Sequence, residues 1–315
     1  MREGQNPAKF VDEVTRPQRV TVAVLSYIPF LSGFYAQALE VLKACLGSIW
    51  EHTDLPYDLL VFDNGSGTEA RDYLLKAQAD GQIQYLLLSE RNLGKGGAWN
   101  IIFQSAPGEI VAYTDSDARF SRGWLSRSIE ILETFPRVGM VTSRPFRTPP
   151  EYYGATVAWA ASTPDAALER GQFIPWEDFR AFDLSLGQDE GDIRAHYEST
   201  HDIRIRYGGL TAMVGASHWQ FVARKHVLQE FLPFEMDRPM GQVRQLDQRM
   251  DQSGYLRLMT AEPLAMNMSN TLKPIPPVYV RRRAPTLVQR LLDWPPIRST
   301  LLFVYNRIFR WYYAR

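Results

Sequence analysis

The amino-acid sequence predicts an α/β fold with a mostly parallel central sheet and helices on both faces. Short, β-branched apolar runs alternate with runs whose apolar residues recur every three or four positions, an order typical of parallel sheets. Strands are expected at 20–26, 58–63, 83–88, 109–114, 138–143 and 256–260. Helices are expected at 35–51, 68–79, 99–104, 121–135 and 241–253, with a glycine-rich loop at 91–97. Residues 148–207 show no sustained period and are predicted to form an insertion or lid.

The composition is ordinary for a globular protein and gives no argument for nucleic-acid binding, because 35 basic and 35 acidic side chains cancel. The single cysteine, Cys45, excludes an internal disulfide framework. No run approaches the ~18 apolar residues of a membrane-spanning helix, and the polar first 20 residues lack the apolar segment of a secretory signal. We therefore expect a cytoplasmic protein.

Polar residues follow three of the four leading strands at the point where each strand ends. In an open parallel sheet, ligands bind beyond the carboxyl ends of the strands, so these side chains are expected to surround one crevice. The residues are Ser26, Tyr27, Asp63, Asn64, Asp115, Ser116 and Asp117.

Asp115 and Asp117 place two carboxylates one residue apart, directly after the strand 109–114. Oxygen ligands of this kind hold Mg²⁺ or Mn²⁺, which in turn binds the phosphates of a nucleotide diphosphate. A turn or helix start is the alternative, since Asp and Ser are common there. The position at a strand tip, beside two other polar tips, favours the metal.

Three other candidates each have a structural alternative. Asp63 could hydrogen-bond a base or ribose, or it could close an Asx-turn. Tyr27 could stack on a nucleobase, or it could simply pack. The glycine-rich loop lets the backbone approach a phosphate, with Lys95 adding charge, but a flexible turn explains it equally well.

Asp247 lies on the apolar face of the predicted helix 241–253, where an apolar residue is expected. A carboxylate there must be paired, hydrogen-bonded or facing a cavity. A general base in a cleft and a buried ion pair with an arginine both explain the position. His218 and Trp219 are candidates to line an acceptor pocket, with a partly buried core histidine as the alternative.

Four segments, in this order and spacing, resemble the family 2 glycosyltransferases of GT-A fold: VTVAVLSYIP at 20–29, DLLVFDNGSGTEA at 58–70, RNLGKGGAWN at 91–100 and GEIVAYTDSDARF at 108–120. The resemblance implies that Tyr27 and Asp63 lie at the nucleobase. It implies that Asp115 and Asp117 form the DXD motif, with Asp117 the direct metal ligand. The other donor-binding residues that it implies are Ser26, Asn64, Arg91, Gly94, Lys95, Gly97, Asn100 and Ser116.

The resemblance also implies a division of the chain into four regions. Residues 1–19 would be an N-terminal extension and 20–147 the half that binds the nucleotide sugar. Residues 148–273 would form the acceptor-binding half, including the insertion, and 274–315 a basic, aromatic and helical C-terminal extension. The base is less clear, because the usual acidic positions before Asp247 hold glutamine and valine. Asp247 is the expected base, with Asp237 and Glu235 as reserves.

The implied reaction transfers a sugar, with inversion, from a UDP-, TDP- or GDP-linked donor to a hydroxyl of a glycan or lipid-linked acceptor. Mn²⁺ or Mg²⁺ would be the cofactor. Two alternatives stay open. A sugar nucleotidyltransferase would normally place a glycine-rich phosphate loop after the first strand, where this chain has Tyr27-Ile28-Pro29. An inactive nucleotide- or glycan-binding module of the same fold is suggested by the missing acidic pair.

The C-terminal tail is basic and aromatic, since residues 281–315 hold eight arginines and one acid. The apolar residues of 301–315 fall largely on one helical stripe, the pattern of an interfacial helix that is too short and too charged to span a membrane. Docking on the inner face of an anionic membrane is one interpretation. A helix packed on its own domain or on a partner subunit is the other.

Docking predicts that the full-length protein floats with anionic liposomes and that a 1–284 truncation, while still folded, does not. The reason is that each arginine near an anionic surface contributes roughly 1 kcal/mol. Flotation with neutral liposomes is the control. A full-length protein that ignores liposomes, with a truncation that aggregates, would show that the stripe packs inside the protein.

Overall fold

The computed structural model describes residues 4–237 and 243–272, with positions 297, 300, 303, 304 and 307 of the tail. The chain forms two compact units, Met1–Lys273 and Pro274–Arg315. The stripe at 301–315 and its membrane docking therefore lie almost entirely outside the described residues and stay predictions. In the described ranges, no helix combines the length and the apolar character needed to cross a bilayer.

The first half alternates strands and helices in the predicted order. Its elements are β1 (Val20–Ser26), α1 (Ala38–His52), β2 (Asp58–Asp63), α2 (Thr68–Ala79), β3 (Tyr85–Leu88), α3 (Gly94–Ser105), β4 (Ile110–Asp115), β5 (Ala118–Phe120), α4 (Trp124–Thr134) and β6 (Val138–Thr142). Strands β1 and β2 have the predicted bounds. Every residue of β1 is buried, as its continuous apolar run predicts for a strand covered on both faces.

The second half adds to the same sheet. Its elements are α5 (Gly154–Ser162), β7 (Ala167–Gly171), α6 (Trp176–Ser185), α7 (Glu190–Ser199), β8 (Asp202–Tyr207), β9 (Leu210–Val214), β10 (Gln220–Arg224), α8 (Lys225–Gln229), α9 (Val243–Gln252), β11 (Leu256–Met259) and β12 (Ala265–Asn267). Residues 148–207 are thus more than a helical lid, because β7 and β8 extend the sheet. Their pairing buries Ile203 and Ile205, whose alternation is the signal of a strand.

Ten strands form one sheet in the order β3-β2-β1-β4-β10-β6-β11-β9-β8-β7. The first four pair in parallel, and β6 is parallel to β11. Strand β10 runs antiparallel between β4 and β6. Strands β5 and β12 form a separate two-stranded ribbon, called the β5–β12 ribbon below.

Alternate residues of β1 enter two different apolar clusters. Val22 and Val24 pack with α1, α2 and α4, whereas Ala23 and Leu25 pack with α3, α8 and α9. Because successive side chains of a strand point to opposite faces, these helices cover both faces of the sheet. This confirms the predicted fold class.

The predicted loop at 91–97 is wrong in its second half, because α3 begins at Gly94. Gly94 has φ of +68°, and its amide donates to Asn92 Oδ1 at 2.7 Å. A Cβ at Gly97 would lie 2.7 Å from Cε of Met236 and 2.9 Å from Cβ of Leu93. Close packing of the first turn therefore offsets the ~1 kcal/mol that each glycine costs in a helix.

Gly215 is confined by both its backbone and its surroundings. Its φ is +122°, and a Cβ there would lie 2.1 Å from Oγ1 of Thr148. We expect Gly215→Ala to lower the free energy of unfolding by about 2 kcal/mol or more, through strained φ and overpacking together. Denaturant unfolding measures this.

Two other glycines separate those causes. Gly81 has φ of +78° with open space at its Cβ, so Gly81→Ala should show only the backbone cost. Gly47→Ala, in α1 and also open, should raise the free energy of unfolding by about 0.5–1 kcal/mol. Equal stabilities for Gly215→Ala and Gly47→Ala would contradict the explanation.

Candidate functional site

The register of the parallel strands brings the three polar tips to one edge of the sheet. Ser26 of β1 lies opposite Asp63 of β2, and Leu25 lies opposite Asp115 of β4. A cavity of about 380 Å³ opens at this edge and is called the strand-tip cavity below. The predicted residues that line it are Tyr27, Asn64, Lys95, Asp115, Ser116 and Asp117.

Both carboxylate oxygens of Asp115 have donors. Oδ2 accepts from Nζ of Lys95 at 2.6 Å, and Oδ1 accepts from the Tyr113 hydroxyl at 2.6 Å. Burial, reinforced by the Asp115 charge, raises the pKa of Tyr113 well above its ordinary value, so the hydroxyl remains a donor. Asp115 is therefore a neutralised carboxylate fixed at the mouth of the cavity.

Asp117 is different, because its Oδ1 is buried without a hydrogen-bond partner in the described part of the chain. Burial and then the negative charge of Asp115 raise the pKa of Asp117 to about 7, while Lys95 and the side chain of Asn267 act in the opposite direction. An unpartnered buried carboxylate oxygen is costly. A positively charged ligand at that oxygen would remove the cost.

The donor set fits a hard divalent cation. Within the described residues, no three His, Cys, Asp or Glu side chains form a cluster that could hold a metal by itself. Mg²⁺ commonly binds through one or two carboxylates together with substrate phosphates and waters. Asp117, with Asp115 beside it, can supply such a partial set.

Ser26 and Asp63 do not line the strand-tip cavity, and both are fully buried. Oδ2 of Asp63 accepts from the amide of Ser66 at 3.2 Å, which is the turn that the sequence offered as the alternative. Ser26 Oγ and Asp63 Oδ1 have no partner among the described residues. Burial raises the pKa of Asp63, against the hydrogen bonds from Ser66.

Four more of the expected donor residues do not line the strand-tip cavity: Arg91, Gly94, Gly97 and Asn100. The amide side chain of Asn100 exchanges two hydrogen bonds with the backbone of Phe234, at 2.9 and 2.7 Å, and its place beside the nucleoside stays a prediction. Gly97 packs against Met236, as described above, and Arg91 is exposed outside the cavity. Gly94 contributes only its carbonyl, which accepts from Nδ2 of Asn64 at 3.3 Å.

Other residues of the strand-tip cavity had no signal in the sequence. They are Leu25, Ile28, Phe34, Tyr35, Ala38, Val41, Asn92, Ser269 and Asn270. Ser269 and Asn270 follow β12, and Nδ2 of Asn270 donates to the carbonyl of Phe34 at 2.9 Å. Only the tertiary pairing of β12 with β5 brings them to the strand tips.

A second cavity of about 650 Å³ contains the predicted residues His218, Trp219 and Asp247; it is called the β10 cavity below. It adjoins the first, because the amide of Asp115 donates to the carbonyl of Trp219 at 2.9 Å. Asn267 lines the β10 cavity and its side chain interacts with Asp117, which lines the strand-tip cavity. The reserve bases Asp237 and Glu235 are exposed and do not line it.

Asp247 satisfies both interpretations of the sequence at once. Its Oδ1 accepts from Nη2 of Arg257 at 2.5 Å, and its Oδ2 lies 2.7 Å from Nδ1 of His218. The Arg257 side chain is fully buried, and burial lowers its pKa against the attraction of Asp247. A single arginine inside the apolar strand β11 was the sequence signal for this partner.

Comparison with known proteins identifies one family. The model described as "Glycosyl transferase family 2" matches residues 34–179. An uncharacterized glycosyltransferase from Nostoc sp. is 29% identical over 100 residues, which are 32% of this chain and 31% of that protein. The chain therefore spans about a third of the length of this curated relative.

Two solved structures show the extent of the structural similarity. The mannosyltransferase PcManGT from Pyrobaculum calidifontis, in complex with GDP-Man and Mn²⁺, is 19% identical with a TM-score of 0.46, covering 79% of this chain and 56% of that one. GalNAc-T7 with UDP, GalNAc and Mn²⁺ is 13% identical with a TM-score of 0.48, covering 80% and 44%. The family match supports the resemblance over residues 34–179, which contain three of the four segments, those at 58–70, 91–100 and 108–120.

Proposed function

We propose that this protein transfers a sugar, with inversion, from a nucleoside-diphosphate donor to a hydroxyl of a glycan or lipid-linked acceptor. The single observation that carries the proposal is the adjacency of two unlike cavities across Asn267. One is built around the Asp115–Asp117 carboxylates, and the other contains the His218–Asp247 pair. A transferase needs such a donor site and such a base within reach of one another.

The strand-tip cavity suits a nucleoside diphosphate. Tyr27, Phe34 and Tyr35 give it an aromatic side for the base, and Lys95 places a cation near the diphosphate. Asp117 would hold Mn²⁺ or Mg²⁺, with Asp115 beside it. When bound, the cation would neutralise the charge that develops on the departing diphosphate.

We propose that Asp247 and His218 act together as the general base, with His218 receiving the proton of the acceptor hydroxyl and Asp247 orienting the imidazole. Arg257 holds Asp247 in a buried ion pair, while the His218 side chain is 27% exposed and lines the cavity. With the Nδ1 proton donated to Asp247, Nε2 of His218 keeps its lone pair for an acceptor hydroxyl. Direct displacement then needs only this proton transfer and the departure of the diphosphate.

Asp117→Asn should abolish metal-dependent nucleotide binding while the fold survives, because the cation loses its charged ligand. The measurement is the Tm of the protein with UDP, GDP or TDP added, with and without Mn²⁺. A ligand at 100 times its Kd stabilises the folded protein by about 2.7 kcal/mol. Asp72→Asn, at an exposed position of α2, is the control and should bind as the wild type does. Equal nucleotide affinity and turnover in Asp117→Asn would remove the metal role.

Asp247→Asn and His218→Asn should each lower turnover by about 100-fold or more, with donor affinity nearly unchanged, as for loss of a general base. Asp247→Asn leaves Arg257 buried without its counter-charge, which can cost about 3–5 kcal/mol. His218→Asn keeps that ion pair and so tests catalysis without this cost.

The exposed His226 provides the matched control, His226→Asn, which should keep full turnover. The decisive comparison is between turnover and the folded fraction of each variant. If His218→Asn is fully active and Asp247→Asn loses activity only as far as it unfolds, the pair is structural and has no part in proton transfer.

A further inference from the structure

The β10 cavity contains a carboxylate that the proposed mechanism does not use. Asp183, on α6, is 7% exposed and lines the cavity. Within the described residues, no donor forms a hydrogen bond to its carboxylate. Burial raises the pKa of Asp183 to about 6, although Arg147 and Arg144 oppose this shift. Its carboxylate opens into the cavity, where a ligand or water can supply the donors that the described residues do not.

The two neighbouring arginines form their hydrogen bonds with other partners, although Nε of Arg144 is buried without one among the described residues. Nε of Arg147 donates to Oδ1 of Asp202 at 2.6 Å, and Nη1 of Arg147 donates to the hydroxyl of Thr200 at 2.6 Å. Arg144 donates to the backbone carbonyls of Asp178 and Ala265. They attract Asp183 at a distance without forming the hydrogen bonds that its oxygens require.

Two donors of the same cavity also lack partners. The hydroxyl of Thr148 and Nε1 of Trp219 are buried without a hydrogen bond in the described ranges, and both residues line the cavity. Trp219 packs on Phe182 with ring centroids 5.8 Å apart, so an apolar aromatic wall lies beside these polar groups. These two donor atoms are enclosed in the wall, so the cavity itself presents an unpartnered acceptor, Asp183, beside an aromatic surface.

We propose that the β10 cavity binds a saccharide and that Asp183 accepts a hydrogen bond from one of its hydroxyls. A sugar hydroxyl both donates and accepts, so a hydroxyl of a polyhydroxylated ring in the cavity can donate to the Asp183 carboxylate. The apolar face of the ring suits the aromatic wall. A phosphate group is disfavoured, since it cannot donate to Asp183 and would be repelled by it.

The remaining charges of the lining do not change this assignment. Arg147 is paired with Asp202, and Asp247 is paired with Arg257. Arg244 and Glu151 also line the cavity, and both are exposed. The inference rests on the proposed function in one respect, because it makes this saccharide the acceptor and Asp183 the residue that selects it.

The test measures saccharide and nucleotide binding separately on the full-length protein. The saccharide probes are the methyl glycosides of glucose, galactose, mannose and N-acetylglucosamine and their β-linked disaccharides, followed by saturation-transfer NMR. Inorganic phosphate and glucose 1-phosphate are the anionic probes. UDP, GDP and TDP with Mn²⁺ report the strand-tip cavity.

At least one saccharide should bind, and Asp183→Ala should weaken it by about tenfold or more while nucleotide affinity stays within about twofold. Glu177→Gln, an exposed acid on the same helix, should leave both unchanged. Asp183→Asn should melt no lower than the wild type at about pH 8, because an unpaired buried charge has been removed. A fall in Tm of more than about 5 °C would assign the carboxylate a structural role and overturn the proposal.

Three further results would also overturn it. They are binding of no saccharide probe, equal saccharide affinity in Asp183→Ala, and binding of the phosphates alone. Failure of the proposed function is distinct, since it would appear as absent nucleotide binding with saccharide binding at Asp183 intact.

Discussion

Both cavities depend on the pairing of β4 with its two neighbouring strands, and the hydrogen bond from the amide of Asp115 to the carbonyl of Trp219 lies at the point where the cavities meet. Strand β4 has a parallel neighbour on one side and an antiparallel neighbour, β10, on the other. The parallel side aligns the ends of β1, β2 and β4, which makes the strand-tip cavity. The antiparallel side places the start of β10 at the end of β4, so the residues just before it, His218 and Trp219, must lie beside the carboxylates. One strand thus carries the donor groups and fixes the position of the acceptor groups.

Four carboxylates in and around these cavities differ in how far the protein satisfies them. Asp115 accepts hydrogen bonds from Lys95 and Tyr113, and Asp247 is held by Arg257 and His218. These contacts fix the two carboxylates in place. Asp117 keeps a buried oxygen with no donor in the described chain, and the Asp183 carboxylate opens into the β10 cavity without a donor from the described residues. A buried oxygen without a donor, as at Asp117, costs on the order of 1–3 kcal/mol, a large share of the stability of a folded domain. The two carboxylates suit different ligands, namely a cation at Asp117 and a hydroxyl donor at Asp183.

The sequence predicts those parts of the molecule that depend on local pattern. The bounds of β1 and β2 follow from β-branched apolar runs, and Asp115 and Asp117 follow from their place at a strand end. The partner of Asn100 could not be predicted, because its side chain hydrogen-bonds the backbone of Phe234, 134 residues away in the sequence, and no local pattern reports such a contact. Asp183 could not be predicted either, because its interest lies in the lack of donors around it, and the sequence does not show which side chains surround it. Periodicity also failed over 148–207, where short helices interrupt the two strands and hide their alternation.

The β5–β12 ribbon sets the distance between the two cavities. Strand β5 begins directly after Asp117, and its pairing places Asn267 opposite Ala118. The amide of Met268 donates to the carbonyl of Asp117 at 2.7 Å, which holds the ribbon against the DXD segment. Asn267 is therefore fixed relative to Asp117 and at the same time forms part of the β10 cavity wall. Because a direct displacement requires the acceptor oxygen to approach within about 3–3.5 Å of the anomeric carbon, small errors in the spacing of the two sites would be costly. The short ribbon, hydrogen-bonded at one end to Asp117, therefore fixes the spacing that the proposed reaction needs.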